Sequence, residues 1–146
     1  MINPGKIIAI SISGKKGISK INIPNANLIA DWGIDGDVHA GKWHRQVSFL
    51  AIESIKKMQD KGLPNLLPGS FAENITTEFI NLPLLVIGTK IKIGGAILEV
   101  TQIGKECHNR CAIFQAIGDC VMPREGIFAK VILGGEIFVN DNVEII

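Results

Sequence analysis

Two glycine pairs, each set between runs rich in β-branched and aliphatic residues, constrain this chain more than any other feature. Lys90–Ile93 and Ile97–Thr101 flank Gly94-Gly95, and Ile127–Leu133 and Glu136–Val139 flank Gly134-Gly135. Paired glycines supply the positive backbone angles that two-residue loops require, so both segments are expected to fold as β-hairpins. A further Ile-rich run, Lys6–Ser13, ends at Gly14-Lys15-Lys16, and Asn140-Asp141-Asn142 turns the chain into a last strand, Val143–Ile146. The chain holds 16 glycines, enough for the bulges and bends of a small, strongly curved sheet.

Helix signals are fewer. Ala51–Lys61 places Ile52, Ile55 and Met58 on one face, and Gly62 with Pro64 stops it. A shorter helix is expected from about Ala112 to Ile117. Many short strands with one strong helix predict a mainly β fold, a curved antiparallel or mixed β-barrel with one or two peripheral helices. No repeat, low-complexity stretch or linker interrupts it, and residues 1–146 read as a single domain.

Composition narrows the function classes. Apolar residues make up 47% and charged residues 20% of the chain, which is a globular balance. Fifteen Lys and Arg nearly cancel fourteen Asp and Glu, for a net charge of +1. That balance argues against a nucleic-acid partner, which would call for a basic excess. Leu82–Ile87, the longest apolar stretch, contains Pro83 and is too short to span a bilayer, so no membrane association is expected. The alternating Ile7–Ile12 run is not a signal peptide. Three cysteines, all late in the chain, do not suggest a disulfide framework, and reduced thiols in the cytoplasm are the natural reading.

Two segments carry chemistry. Asp31–Asp37 superficially resembles a calcium loop, but Gly33 and Lys42 stand where an oxygen ligand and a glutamate are needed. The run from Gly33 to Gly41, followed by His44-Arg45-Gln46-Val47-Ser48, reads either as a turn-rich loop whose acids satisfy backbone donors or as a ligand loop. In the second case backbone N–H groups, His39, His44 and Arg45 suit an anionic, hydrogen-bonding group such as a pterin phosphate.

The second segment runs from Gly104 to Cys111, with Cys120 beyond it. Its C-x3-C-x8-C spacing gives no complete tetrahedral set, so no structural zinc is expected. An iron–sulfur site of the three-cysteine radical type would want a cysteine at Phe114. A reactive thiol is the remaining functional reading, because Lys105, His108 and Arg110 favour thiolate; the alternative is cysteines that are ordinary small core residues. Arg124 and Glu125 read either as a surface pair or as an orienting device for an anion.

Six segments occur in the order seen in MOSC domains, named for the C-terminal domain of molybdenum cofactor sulfurases. They are GDVHAG at 36–41, RQVS at 45–48, PGSFAENITT at 68–77, the hairpin around Gly94-Gly95, ECHNRC at 106–111 and MPREGIFAKVILGG at 122–135. The resemblance spans about Lys6 to Ile146 and implies a MOSC-like barrel of the PK type that binds the molybdenum cofactor, molybdopterin with its metal. It implies Cys111 as the catalytic or molybdenum-ligating thiol, since Arg110-Cys111-Ala112-Ile113 resembles the Arg-Cys-aliphatic stretch of the family's reductases. Cys107 is its rival or resolving partner, and Cys120, beside Asp119, should be slower. Asp37, His39, Arg45, Asn74, Arg110 and Arg124 are the implied cofactor-binding residues. His39, Arg45, Asn74 and Arg124 are expected to line one pocket with the cysteine loop.

The pyridoxal-phosphate-dependent portion of the sulfurases has no counterpart here, nor has the N-terminal barrel region of the reductases. Sulfur would therefore come from a separate donor and pass to the cofactor or to a molybdoenzyme. The alternative is a non-catalytic carrier that shelters the cofactor during synthesis or insertion.

Overall fold

The computed structural model describes residues 5–104 and 121–146, and their strands close into a barrel. The strands are β1 (Gly5–Ile12), β2 (Ile21–Ile23), β3 (Asn25–Ile29), β4 (Gly33–Ile34), β5 (Val47–Ala51), β6 (Ile75–Glu78), β7 (Lys90–Ile93), β8 (Ala96–Ile103), β9 (Ile127–Leu133), β10 (Gly135–Phe138) and β11 (Asn142–Ile145). Seven of them form the barrel in the order β11-β7-β8-β9-β5-β6-β1, closed by β1 on β11. The barrel is mixed: β5 and β6 run parallel, and the other barrel pairs are antiparallel. Strand β2 adds to β1, and β10-β3-β4 form a separate small sheet.

Side-chain alternation divides each barrel strand between two environments. Val47, Phe49 and Ala51 of β5 join Ile127, Ala129 and Val131 of β9 and Ala96, Leu98 and Val100 of β8 in the interior. Ile7 and Ile10, three apart, also reach the interior, because the β1–β6 register slips between Ile7 and Ala9. The opposite face of β5 and β9 contributes Leu50 and Phe128 to a second cluster, with Ile55 and Met58 of helix α1 (Ile52–Asp60). All five residues of β5 are buried for this reason. The predicted apolar face of α1 is the face that packs. A single-turn helix, α2 (Met122–Glu125), adds Met122 to the same cluster. The second predicted helix, near Ala112–Ile117, falls outside the described residues. No helix among those described is long and apolar enough to cross a membrane.

The two glycine pairs behave differently. Gly94-Gly95 joins β7 and β8 as a hairpin, with Ile93 opposite Ala96 and Gly94 at φ 57°. Gly134-Gly135 does not make the predicted hairpin. Strand β10 leaves the barrel and pairs antiparallel with β3, Gly135 opposite Leu28. The physical reason lies at Gly134, where a Cβ would meet the Leu28 carbonyl oxygen at 2.6 Å. Here the glycine allows two backbones to approach where the chain changes sheets, whereas at Gly94 it allows the chain to turn.

Candidate functional site

Strand parity positions the site. Ser48 lies opposite Phe128 across the β5–β9 ladder, on the face that points away from the barrel interior. The β8–β9 register slips between Val100 and Gln102, so that Gln102 rather than Thr101 comes opposite Phe128. The bulge therefore re-aims Gln102 toward the same outer face. There its side-chain oxygen accepts from Arg45 Nε at 3.0 Å and meets His44 Nε2 at 3.0 Å. The Thr101 hydroxyl donates to the His44 carbonyl, so β8 holds the 44–45 segment twice.

A cavity of about 110 Å³ lies on this face. His39, Arg45 and Ser48 give it a polar side, and Trp43, Phe71, Met122 and Phe128 an apolar one. The Arg45 guanidinium carbon sits 5.1 Å from the Phe128 ring centroid, a cation–π contact that orients the guanidinium across the cavity wall. The Trp43 indole N–H donates to the His39 carbonyl at 2.8 Å.

Behind the polar side lies a buried network. The side chains of Lys20 and Asp37 are fully inaccessible and pair at 2.6 Å. Asp37 Oδ1 also accepts from Ser13 N, and Oδ2 accepts from His39 N and from Asn74 Nδ2 at 3.0 Å. Asn74 Oδ1 accepts from the Ser48 amide at 3.0 Å and from its hydroxyl at 3.2 Å. Lys20 Nζ lies 2.8 Å from His39 Nδ1. The network thus ties His39 and Ser48, two of the polar lining groups, to one buried ion pair.

Gly69 makes room for this arrangement. At φ 95°, a Cβ on it would meet the Lys20 carbonyl oxygen at 2.4 Å. Next to it Phe71 lines the cavity, and Ala72 is held at φ 61°. Glu73 beyond it is fully buried. Burial pushes its carboxyl above the ordinary value, against the pull of hydrogen bonds from backbone amides and the Thr76 hydroxyl.

The residues singled out from sequence therefore separate. His39 and Arg45 line the cavity together. Asp37 and Asn74 are buried behind it and direct their polar atoms to protein partners. Arg124 lies on α2, exposed, and is not among the lining residues. Its neighbour Glu125 turns to α1, accepting from Ser54 Oγ at 2.6 Å and Lys57 Nζ at 3.1 Å. Burial raises the Glu125 carboxyl, but these two donors and nearby positive charge outweigh it and leave it below the ordinary range. Cys107, Arg110, Cys111 and Cys120 fall outside the described residues.

Lys20, Ser48 and Gln102 carry parts of this site that sequence reasoning missed. Ser48 stood within the RQVS segment, and parity along β5 was the signal available for it. Lys20 offers no local signal, since its partners lie 17 and 19 residues further on.

The described residues that flank the cysteine-bearing segment, Gly104 and Val121, are held close to the walls of this cavity. Gly104 N donates to the Gly126 carbonyl at 2.6 Å, and Gln102 Nε2 donates to the Gly104 carbonyl at 2.7 Å. Gly104 stands at φ 70°, where a Cβ would meet the Pro123 carbonyl oxygen at 2.3 Å. At the far end Val121 packs in the second cluster and Met122 lines the cavity.

Solved structures share this architecture. The YuaD protein from Bacillus subtilis superposes with a TM-score of 0.82 at 20% identity, covering 98% of this chain and 96% of that one. YiiM from Geobacillus stearothermophilus gives 0.75 at 16% identity, over 98% of this chain and 75% of that one. YiiM from Escherichia coli gives 0.69 at 16%, over 97% and 69%. At such identities the likeness establishes the fold. No curated protein sequence is similar enough to match. The family model for the MOSC domain matches residues 35–144, from the Asp37 loop through the last strand. That match takes in well over half of the sequence, and the chain belongs to the MOSC domain family.

Proposed function

We propose that the cavity beside Arg45 and His39 binds the molybdenum cofactor, and that Cys111 supplies the thiolate that acts there. The MOSC family is generally associated with this cofactor. The donor set suits it: a guanidinium, an imidazole and a hydroxyl line one side of the cavity and apolar side chains the other. At about 110 Å³ the described walls fit an oxyanion-sized end of such a ligand rather than the whole of it. Arg45 and His39 would hold the anionic oxygens, with Ser48 beside them. Asp37 and Asn74 act at one remove by holding His39 and Ser48. Arg110 and Arg124 would add positive charge at the rim.

One observation carries the reading: Gln102 binds both Arg45 and Gly104, the residue from which the cysteine segment departs. The described residues on either side of that segment, Gly104 and Val121, lie next to residues that hold or line the cavity. A thiolate there is a soft ligand for molybdenum and a nucleophile able to carry sulfur as a persulfide, with Cys107 as resolving thiol. The sulfur would come from a separate donor persulfide, whose S–S bond breaks as the Cys111 S–S bond forms and which leaves as the donor thiolate.

The test is metal and pterin analysis of the protein purified from molybdenum-replete cells, alongside Arg45→Ala and Cys111→Ser variants. Near-stoichiometric molybdenum with pterin, reduced in both variants, is expected. Protein that carries neither would refute the reading. Single-turnover transfer of labelled sulfur then separates the two roles: transfer that depends on Cys111 marks a sulfur-transfer domain, and bound cofactor without transfer marks a carrier.

A further inference from the structure

The directions of the hydrogen bonds in the buried network can be read from one end to the other. Asn74 is oriented by the backbone: its Oδ1 accepts from the Ser48 amide, and its Nδ2 donates to the Ser11 carbonyl at 3.1 Å. Nδ2 therefore also donates to Asp37 Oδ2. Asp37 takes two donors on each oxygen and acts only as an acceptor, the behaviour of a carboxylate. The group 2.6 Å from Oδ1 is the Lys20 ammonium, which has three donors and no acceptor. His39 Nδ1, 2.8 Å from that ammonium, must then be the acceptor and carry no proton.

We infer that Lys20 is a positioning residue that fixes His39 as the neutral Nε2–H tautomer, so that the cavity presents a neutral imidazole N–H beside the Arg45 cation to an oxyanion or oxo ligand. Asp37 alone would do the opposite. Its Oδ2 lies 3.9 Å from His39 Nδ1 and would draw a proton onto that nitrogen. Interposing the ammonium reverses the polarity of the ring, so the proton sits on Nε2. The neutral N–H lets an anion bind without a second formal charge, and Arg45 supplies the attraction. The ligand-facing half of this inference rests on the proposed cofactor cavity; the tautomer does not.

The experiment is a long-range proton–nitrogen correlation spectrum of the full chain with nitrogen-15-labelled histidine at pH 8, where His39 is assigned by its loss in His39→Gln. The chain has three histidines, which keeps the assignment simple. The expected result is an unprotonated Nδ1 and a protonated Nε2 for His39. In Lys20→Met the proton should move to Nδ1, facing Asp37. A protonated Nδ1 in the wild type, or identical His39 signals in wild type and Lys20→Met, would overturn the inference. If Lys20→Met does not fold, the wild-type spectrum decides alone, because a proton on Nδ1, whether in the other neutral tautomer or in an imidazolium that carries both, overturns the inference. Titration with molybdate should shift the His39 Nε2 resonance. An unmoved Nε2 would overturn its role as ligand donor. Absence of cofactor from the purified protein would instead refute the proposed function, leaving the tautomer result intact.

Discussion

Replacing Asp37 with asparagine removes one charge and one acceptor from the most enclosed part of the molecule. The two carboxylate oxygens accept from four donors, two apiece. An asparagine turned either way places its NH2 against two of them. If the NH2 takes the place of Oδ1 it faces Ser13 N–H and the Lys20 ammonium; if it takes the place of Oδ2 it faces His39 N–H and the Asn74 amide. Asn74 cannot turn to compensate, since the Ser48 amide and the Ser11 carbonyl fix its orientation. The Lys20 amino group, fully inaccessible to water, is left without its counter-ion. Removing one partner of a buried, hydrogen-bonded ion pair costs about 3–5 kcal/mol. In a domain of this size that lowers Tm by roughly 6–20 °C. Urea denaturation and thermal melts at neutral pH provide the measurement. Lys20→Met combined with Asp37→Asn should recover part of the loss, because no charge is then stranded. A single-variant loss below about 1 kcal/mol, or a double variant no more stable than the single, would refute the account.

Three further outcomes follow from the same geometry. Ala72 sits at φ 61°, where a Cβ is strained, so Ala72→Gly should gain about 0.5–1 kcal/mol in urea denaturation. Glu73 has its folded-state pKa raised above the ordinary 4.5 by burial. Its contribution to stability is therefore full below pH 4.5 and lost as pH rises through the folded value. Melting curves of Glu73→Gln and wild type from pH 4 to 8 should accordingly move in the variant's favour as pH rises. Gln102→Ala releases Arg45 and His44 together; we expect molybdate affinity to fall several-fold by titration calorimetry, with a stability loss of about 1 kcal/mol.

The barrel was legible because its causes are local. Alternating apolar residues in Lys6–Ser13, Lys90–Ile93 and Ile127–Leu133 announce strands, and the Ile52, Ile55 and Met58 spacing announces α1. Gly94-Gly95 needs only its own neighbours to make a hairpin. Gly134-Gly135 carries the same local signal but answers to a distant one, the Leu28 carbonyl against which it packs. A glycine pair reads alike whether it allows a turn or a close approach. The second case depends on a partner about a hundred residues away in the chain.

The site follows the same rule at finer scale. His39 and Arg45 stand in a loop with recognisable chemistry, and the resemblance to MOSC domains added Asp37 and Asn74 to the set. Sequence reasoning could not divide them into groups that line the cavity and groups that stand behind it, because that division is made by parity and register. Ser48 faces the cavity because Val47 and Phe49 face the interior. Gln102 reaches Arg45 because a one-residue slip in β8 reverses the alternation between Val100 and Gln102. A strand without that slip would have offered Thr101 opposite Phe128, too short to span from β8 to both Arg45 and Gly104. Lys20 is further still from any local rule. Its meaning lies in the 2.6 Å and 2.8 Å distances to Asp37 and His39, and with them it converts a carboxylate–histidine contact into its electrostatic opposite. The motif thus names the candidate site, and one buried lysine outside it decides which nitrogen of His39 holds the proton.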